Sequence, residues 1–332
     1  MLLRVAPLLL ACASGLNAAK TLEIYAIDVE GGQATLFVSP SGESMLVDTG
    51  WGGANKRDAL RIVAAAKAAG VKKIDYLVTT HYHVDHVGGI AQFAEMMPIR
   101  NFVDHGESIE KDRASQVLLK QYEAYREKGN HILVKPGDTI PIKGIDVKVL
   151  SSAGKLIAGP LPGAGQPGVD CAGFQMHEAD TTENGQSVGM LITYGSFRML
   201  DMGDVTWNLE KDMVCPVNKI GKVDIYLVSH HGMEFSGSPQ WVNSLAPKAA
   251  IMDNGVRKGG VAERWQTVHD APSHPDIWQL HYAVPAGKEH NSADPFIANI
   301  DEICEGKWLK VDAEKSGAFK IYNSRNKYEK AY

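Results

Sequence analysis

The alternation of apolar and polar residues near the start of the chain predicts extended strands. Three such segments are separated by Gly31-Gly32 and Ser41-Gly42, which suit tight turns between antiparallel strands. The alternating segments are residues 21–29, 34–40 and 43–50. From residue 55 onward the apolar residues instead recur at helical spacing, and Gly70 suits a C-terminal cap. This segment predicts the first helix.

The same two periodicities continue along the rest of the chain. Further strands are predicted at residues 73–80, 99–104, 145–150, 187–195, 197–204, 223–232 and 248–253, and in a final hairpin of residues 308–313 and 318–324. Further helices are predicted near residues 89–97, 108–128, 205–213 and around Gln240. Because both β-rich halves are interleaved with helices, the pattern predicts an α/β (α+β) fold in which two sheets pack together with helices outside.

Two long stretches lack either periodicity, near residues 151–186 and near residues 255–296. In the first stretch, residues 159–173 are dense in glycine and proline, and a loop of this kind is typically a functional lid or a disordered insertion. No Pro-rich, Ser-rich or charged linker divides the chain. The sequence therefore predicts a single domain from residue 20 to residue 332.

The first 19 residues differ from everything that follows them. The sequence MLLRVAPLLLACASGLNAA has one positive charge at Arg4, a short apolar stretch and then small residues, which is typical of a secretory signal peptide. The apolar stretch is shorter than the roughly 20 residues that span a bilayer, so no transmembrane span is expected in the mature chain. We expect export to the periplasm or the extracellular space, with cleavage after Ala19. The alternatives are a lipoprotein anchored at Cys12 and an apolar N-terminus that is never cleaved.

The composition indicates an ordinary, mildly acidic globular protein. Of the 332 residues, 44% are hydrophobic, which is enough for a large core, and the formal net charge is -5. Because no basic stripe is present, extended nucleic acid is disfavoured as a substrate, and a small molecule or a short oligomer is favoured. Cys171, Cys215 and Cys304 would remain after cleavage, and they allow one disulfide in an oxidising compartment.

The stretch TTHYHVDHVGG, residues 79–89, follows an apolar strand with a dense set of metal-ligating side chains. His81 and His83 at i and i+2 can aim both imidazoles at one point, and Asp85 and His86 can reach the same region. Nitrogen and carboxylate ligands are preferred by Zn²⁺ and similar divalent metals. This spacing predicts a metal site, whereas the competing interpretation is a polar surface loop whose imidazoles only form hydrogen bonds.

Two later strand ends offer matching groups. The segment MLDMGD ends at Asp204, and the segment LVSHHG presents His230 and His231. If the fold aligns these strand ends, six or more ligands meet, which suits two metals bridged by Asp204 and a hydroxide held between them as nucleophile. Asp204 could instead cap the following helix.

These motifs together resemble the metallo-β-lactamase superfamily. The resemblance rests on HYHVDH followed by GG, on the upstream VDTGWGG, and on the later MGD and HHG, and it covers residues 22 to about 322. The superfamily's four-layer αββα sandwich holds its metal site at the edge of two sheets. The segments NGQSVGMLITYGSFRMLDMGD and LVSHHG are most similar to the hydrolase domain of ComEC-type competence proteins, which are taken to be DNA-processing nucleases.

The resemblance also implies a role for each candidate residue. It places His81 and His83 on a first metal, Asp85 and His86 on a second, and Asp204 between them. His230 would complete the second site, and Asp48 would orient a ligand histidine, although Asp48 could instead cap the turn at Gly50. Asp85 and His231 are the candidate catalytic residues, with His231 as an orienting residue or a proton donor. The roles of His230 and His231 could also be reversed.

One part of the sequence departs from the family pattern. The usual third histidine of the first metal is missing, and MHEADTTENGQS stands in its place. Asn184 and Ser187 follow the competence-type pattern, while His177 and Asp180 are nearby candidates for an additional ligand. One or two ions are therefore expected, most simply Zn²⁺, with Mn²⁺ or Fe²⁺ as alternatives.

The sequence thus predicts an exported metal-dependent hydrolase that uses a metal-bound hydroxide, with a phosphodiester as the substrate suggested by the competence-type motifs. An ester, lactone or β-lactam hydrolase of the same fold is the first alternative. A non-catalytic metal-binding or structural protein is the alternative of another class, and the missing histidine is its best support.

Overall fold

The computed structural model describes residues 21–332. The predicted signal peptide of residues 1–19 and the candidate lipid anchor at Cys12 lie outside the described residues. Among residues 21–332, no helix combines the length and the apolar character that crossing a membrane requires.

The described chain forms strands and helices in mixed order. The strands are β1 (Leu22–Ala26), β2 (Thr35–Val38), β3 (Ser44–Val47), β4 (Ile74–Val78), β5 (Ile99–Asp104), β6 (Asn130–Leu133), β7 (Thr139–Ile140), β8 (Asp146–Ser152), β9 (Lys155–Leu156), β10 (Gly189–Tyr194), β11 (Phe197–Asp201), β12 (Ile225–Leu227), β13 (Ala249–Met252), β14 (Asp276–His281), β15 (Ile297–Asn299), β16 (Leu309–Ala313), β17 (Phe319–Asn323) and β18 (Glu329–Ala331). The helices are α1 (Arg57–Ala68), α2 (Val84–Val87), α3 (Ile90–Ala94), α4 (Arg113–Arg126), α5 (Trp207–Val214), α6 (Pro239–Leu245) and α7 (Ala262–His269).

Within residues 21–332 the strands form two nine-stranded sheets. The first sheet has the order β18-β17-β16-β1-β2-β3-β4-β5-β6, and the second has the order β15-β14-β13-β12-β11-β10-β8-β7, with β9 paired to β8. Strands β3 to β6 are mutually parallel in the first sheet, and β11 to β15 are mutually parallel in the second. The other pairings are antiparallel, including the hairpin β1-β2 and the final hairpin β16-β17.

Apolar side chains on both faces of each sheet build the four layers. The inner faces share one core, which includes Phe37, Met190 and Trp278. The outer face of the first sheet packs on α1, α3 and α4, and the outer face of the second packs on α5, α6 and α7. The predicted αββα sandwich is therefore confirmed.

The second irregular stretch of the sequence analysis contains regular structure. Between residues 255 and 296 the chain forms α7 and the parallel strand β14, whose burial pattern is almost continuous. A strand buried on both faces does not alternate, so its sequence carries no period-2 signal.

The first irregular stretch is largely irregular in the structure, but it is tied to the second sheet's side of the molecule. Cys171 and Cys215 form a disulfide. The backbone N–H groups of Leu161 and Gly165 donate to the carbonyls of Lys219 and Asn218 at 2.8 and 2.9 Å. Residues 159–173 are thus held against residues 214–219. Whether they act as a lid stays a prediction.

The parallel arrangement determines where polar strand ends meet. Polar residues end or closely follow strands β3 and β4 of the first sheet and β11 to β14 of the second. The carboxyl ends of parallel strands share one edge of a sheet. This edge brings the histidine motif of residues 81–86 close to the polar groups that follow β11 and β12.

Candidate metal centre

Four side chains from three separate segments converge at this edge. Asp85, His86, Asp204 and His231 each present one ligand atom, and these atoms all lie within 4.8 Å of one another. His86 Nε2 is 3.2 Å from Asp204 Oδ2 and 3.1 Å from His231 Nε2. His231 Nε2 is 3.4 Å from Asp85 Oδ2 and 3.5 Å from Asp204 Oδ1. All four residues are buried, so the donors face one another rather than solvent.

His81 and His83 form the other side of the same centre. His81 Nε2 lies 3.0 Å from His83 Nδ1 and 3.8 Å from Asp204 Oδ2. His81 Nε2 therefore lies between the His83 ring and the Oδ2 atom of Asp204. The remaining nitrogen of His83, Nε2, lies 3.0 Å from Glu110 Oε1.

His230 also points toward Asp204. Its Nε2 lies 3.4 Å from Asp204 Oδ2, and its Nδ1 lies 3.4 Å from Ser236 Oγ. His230 and His231 both have left-handed backbone conformations, with φ of 56° and 55°. Such conformations are uncommon for residues other than glycine and concentrate at functional sites. Here they turn two successive imidazoles to different oxygens of one carboxylate.

Three carboxylates hold the histidine rings from outside. Asp48 Oδ2 is 2.7 Å from His86 Nδ1 and accepts a hydrogen bond from Thr80 Oγ1 at 2.6 Å. Glu110 Oε1 is 3.0 Å from His83 Nε2, and Asp253 Oδ2 is at ion-pair distance, 3.2 Å, from His231 Nδ1. A carboxylate on the far nitrogen of a ligand histidine fixes its tautomer and orientation. The hypothesis for Asp48 thus has a matching geometry.

Sequence reasoning missed Asp253 and Glu110. Asp253 follows β13 directly, so the polar strand-end signal that singled out Asp48 was present for it as well. Glu110 lies in the loop before α4 and carries no comparable signal.

Sequence reasoning also missed Lys258 at the edge of the centre. Its ammonium donates to Asp85 Oδ2 and to the carbonyl of Gly31, and it lies 5.3 Å from the centre of the Trp51 ring. The lysine side chain is 31% exposed, so a positive charge beside the buried ligands is accessible from solvent.

His177 and Asp180 lie in the wall of a neighbouring cavity instead of in the cluster. The cavity measures about 280 Å³ and is also lined by Asn184, Trp207 and Phe235. The Phe235 ring is 6.0 Å from the ring of His230, so the cavity adjoins the centre. His177 packs edge-on against Trp207, and Asp180 Oδ1 accepts from Thr182. Their role as additional ligands stays a prediction.

Ser187 occupies part of the space beside His81. Its hydroxyl lies 3.4 Å from His81 Nδ1 and accepts a hydrogen bond from the backbone N–H of Asp204 at 3.3 Å. Ser187 thus links the candidate ligand His81 to the backbone of Asp204.

The burial of so many ionisable groups shifts their pKa values strongly. Burial by itself raises the pKa of Asp204, but the neighbouring imidazoles of His230, His86 and His231 outweigh it and hold the pKa well below its usual range. Burial and the neighbouring His86 lower the pKa of His81 well below its usual value. An ionised carboxylate and a neutral imidazole are the forms that bind a metal ion.

The residues fit a divalent metal. Asp204 Oδ1 is buried and has no hydrogen-bond partner among residues 21–332, which is costly unless a cation completes it. The separations of 3.0 to 3.8 Å between neighbouring donors are of the size expected for ligands that surround an ion at about 2.0 to 2.2 Å. The nitrogen and oxygen donor set suits zinc, manganese or iron.

Comparison with known proteins gives a family match for part of this chain. Residues 27–172 match the family model of the metallo-beta-lactamase superfamily. ComE operon protein 3 of Bacillus subtilis (strain 168) is 26% identical over 189 residues, which are 57% of this chain and 21% of that protein. The chain therefore spans about a fifth of the length of this relative.

Two solved structures are similar to this chain at low sequence identity. The metallo-beta-lactamase fold protein YhfI from Bacillus subtilis has a TM-score of 0.48 and 13% identity, over 78% of this chain and 96% of that one. CmlA, a diiron β-hydroxylase from Streptomyces venezuelae, has a TM-score of 0.42 and 15% identity, over 76% of this chain and 47% of that one. The match over residues 27–172 confirms the predicted resemblance: this segment of the chain is similar to the metallo-β-lactamase superfamily.

Proposed function

We propose that this protein is an exported metal-dependent hydrolase whose substrate is a small or short phosphodiester. The observation that carries the proposal is the convergence of His81, His83, Asp85, His86, Asp204, His230 and His231 at one sheet edge. Divalent ions held there would supply an activated water and would polarise the substrate's oxygen. The side chains of the protein bind the ions, orient the substrate and control access.

We assign the ligands to two ions, with Asp204 available to both. Asp85, His86 and His231 would hold one ion, because their donor atoms lie within 4.8 Å of one another and of an oxygen of Asp204. This assignment uses His231 in place of His230 and so adopts the reversed order of the two histidines. His81 and His83, whose facing nitrogens lie 3.0 Å apart, would hold the other ion.

His230 then supports the ion that lacks the usual third histidine. Its Nε2 is 3.4 Å from Asp204 Oδ2, the oxygen that also faces His81. In this position His230 is either the remaining ligand of the His81 side or a proton donor to the leaving group.

The surroundings of the centre favour an anionic substrate of modest size. Lys258 places an accessible positive charge beside Asp85, which suits a phosphate oxygen. The adjoining cavity offers the rings of Trp207 and Phe235 to an apolar or aromatic part of the substrate, and its 280 Å³ suit a small group. The net charge of -5 argues against extended nucleic acid. An ester, a lactone or a β-lactam could occupy the same centre.

The N-terminal sequence and the disulfide together support export. The leader of residues 1–19 has the signal-peptide pattern, and Cys171 is bonded to Cys215. Disulfides persist in oxidising compartments, outside the reducing cytosol.

Metal analysis and a phosphodiester assay test the proposal together. Purified protein should hold up to two zinc, manganese or iron ions at this centre and should hydrolyse bis(p-nitrophenyl) phosphate. Asp204→Ala should abolish hydrolysis while the fold, checked by circular dichroism, is retained. A structural protein would show no turnover of phosphodiester, ester, lactone or β-lactam substrates by the metal-loaded chain. If the protein hydrolyses an ester, a lactone or a β-lactam but no phosphodiester, it is a hydrolase and the proposed substrate class is wrong.

A further inference from the structure

A second group of potential ligands lies outside the centre described above. Asp28, Glu30, His281 and Cys304 each present one donor atom, and the four atoms lie within 4.8 Å of one another. The first two follow β1, His281 ends β14, and Cys304 lies in the segment before β16. The group therefore joins the loop between β1 and β2 to two segments near the C-terminus.

His281 is the buried centre of this group. Its Nε2 lies 3.0 Å from Asp28 Oδ1 and 3.4 Å from Glu30 Oε2. The residue is fully buried, and its Nδ1 has no hydrogen-bond partner among the described residues, so Nε2 is the ring atom presented to the group.

Cys304 completes the group with sulfur. Its Sγ lies 3.3 Å from Asp28 Oδ2, 3.6 Å from Glu30 Oε1 and 3.7 Å from His281 Nε2. The other two described cysteines, Cys171 and Cys215, are bonded to each other, so Cys304 is the remaining thiol of residues 21–332.

We propose that Asp28, Glu30, His281 and Cys304 bind a divalent metal ion of the zinc type, separate from the ions at Asp204. One imidazole, one thiolate and two carboxylates make a four-coordinate donor set that zinc accepts. Four ligands placed at about 2.0 to 2.3 Å around one tetrahedral ion lie roughly 3.3 to 3.8 Å apart. The separations of 3.0 to 3.7 Å from His281 Nε2 and Cys304 Sγ to their neighbours are of this size.

The charges around the group balance when the ion is present. Two carboxylates and a thiolate carry three negative charges, while Arg61 supplies one positive charge, with its Nη1 2.7 Å from Asp28 Oδ2 and its Nη2 3.3 Å from Cys304 Sγ. A divalent cation neutralises the remainder, and the guanidinium then hydrogen-bonds the ligands from outside.

The competing state is a metal-free ion network. In it His281 is an imidazolium, because burial, which lowers its pKa, is outweighed by the contacts with Asp28, Cys304 and Glu30, which raise the pKa to about 11. The imidazolium and Arg61 balance the two carboxylates, so charge alone does not separate the two states. Sulfur coordination does, since it exists only in the metal-bound state.

A bound ion would also stabilise the rim of the hydrolase centre. Glu30 immediately precedes Gly31, whose carbonyl accepts a hydrogen bond from Lys258 at 2.8 Å. The ion would tie this loop to the segments of His281 and Cys304, which follow it by some 250 residues or more. The proposed role is therefore structural, and it stands whether or not the hydrolase proposal holds.

Cobalt substitution provides the test. The full mature chain is stripped with a chelator and reloaded with Co²⁺, whose bond to a thiolate produces a near-ultraviolet charge-transfer band. The centre at Asp204 contains no cysteine, so it contributes visible bands only. We expect the near-ultraviolet band in the unmodified protein and its loss in Cys304→Ser, with the visible bands retained.

Two outcomes would overturn the proposal. One is a cobalt-loaded protein that shows the visible bands and no thiolate band, which would establish the metal-free ion network instead. The other is a thiolate band that survives Cys304→Ser. If that variant fails to fold, alkylation of the unmodified protein decides: zinc should slow the modification of Cys304 at least tenfold relative to the chelator-treated protein, and equal rates would contradict a metal-bound thiolate.

Discussion

The two polar clusters of this molecule occupy the same sheet edge but are built in different ways. The cluster at Asp204 draws several of its donors from one short motif, residues 81–86, whereas the cluster at His281 draws each part from distant positions such as Glu30 and Cys304. Among residues 21–332 a buried oxygen of Asp204 has no hydrogen-bond partner, whereas Arg61 forms ion pairs with Asp28 and Glu30 in the second cluster. We therefore assign chemistry to the first cluster and a structural ion to the second.

The largest expected difference between the clusters is in turnover. Asp204→Ala removes the carboxylate that we assign to both ions. We expect the rate of hydrolysis to fall roughly 10³-fold or more, which corresponds to a loss of several kcal/mol of transition-state stabilisation. Steady-state kinetics on the phosphodiester probe measures this effect. Cys304→Ser is the matched control from the other cluster and should keep most of the rate. An equal loss of rate in both variants would show that hydrolysis depends on the second cluster as much as on the first.

A buried carboxyl group outside both clusters shows how burial changes a pKa when no imidazole is among the causes of the shift. Glu210 is buried like Asp204 but has no histidine beside it, and burial, partly offset by hydrogen bonds from Gly237 and Ser238, raises its pKa from 4.5 to about 7. A raised pKa in the folded state stabilises the fold below about pH 4.5, and this contribution is lost as the pH rises through 7. The loss amounts to on the order of 3 kcal/mol.

Glu210→Gln should remove that pH dependence. Urea unfolding at pH 5 and pH 8 would show a smaller decline in the free energy of unfolding for the variant than for the unmodified protein. Parallel declines in the two proteins would mean that Glu210 is ionised in the fold without penalty.

A smaller effect is expected from the carboxylates that orient the rings. Asp48→Asn keeps the shape of the side chain but weakens its hold on His86 Nδ1, so metal affinity at the Asp204 centre should drop by about 10- to 100-fold. Competition with a chromophoric chelator measures this change. Unchanged affinity would assign Asp48 to the turn at Gly50, where it would serve the backbone alone.

The smallest effect is expected at Glu110. Its partner His83 is 29% exposed at the side chain, so water can replace the carboxylate on Nε2. Glu110→Gln should lower metal affinity by less than about tenfold, below the effect of Asp48→Asn. The same chelator competition applies, and a larger loss than at Asp48 would show that the His81 side limits metal binding.

The sequence identifies the first cluster much better than the second, for a physical reason. His81, His83, Asp85 and His86 stand within six positions, and Asp204 and the two later histidines follow apolar strands directly, so local pattern reveals them. Asp28 follows a strand of the first sheet and His281 ends a strand of the second, so only the packing of the two sheets brings them together. Nothing local marks such a contact.

The fold shows the same division. The hairpins and the half-exposed strands and helices were predictable because their periodicity is visible, as in the final hairpin β16-β17, whose burial alternates and which lies within the residues predicted. Strand β14, buried on both faces, and helix α7 were assigned to an irregular stretch. Whether His230 or His231 belongs with Asp85 depends on their left-handed backbone, which apolar and polar pattern does not encode.

The left-handed backbone of His230 and His231 lowers the stability of the fold at two residues to which the proposed activity assigns a role. A left-handed conformation costs roughly 1 to 2 kcal/mol for each residue that carries a Cβ, and glycine would relieve the cost at position 230 or 231. Selection for a sturdier protein would therefore favour glycine where selection for turnover keeps histidine. A relative with glycine at both positions and the rest of the fold intact would be a protein that has traded this chemistry for stability.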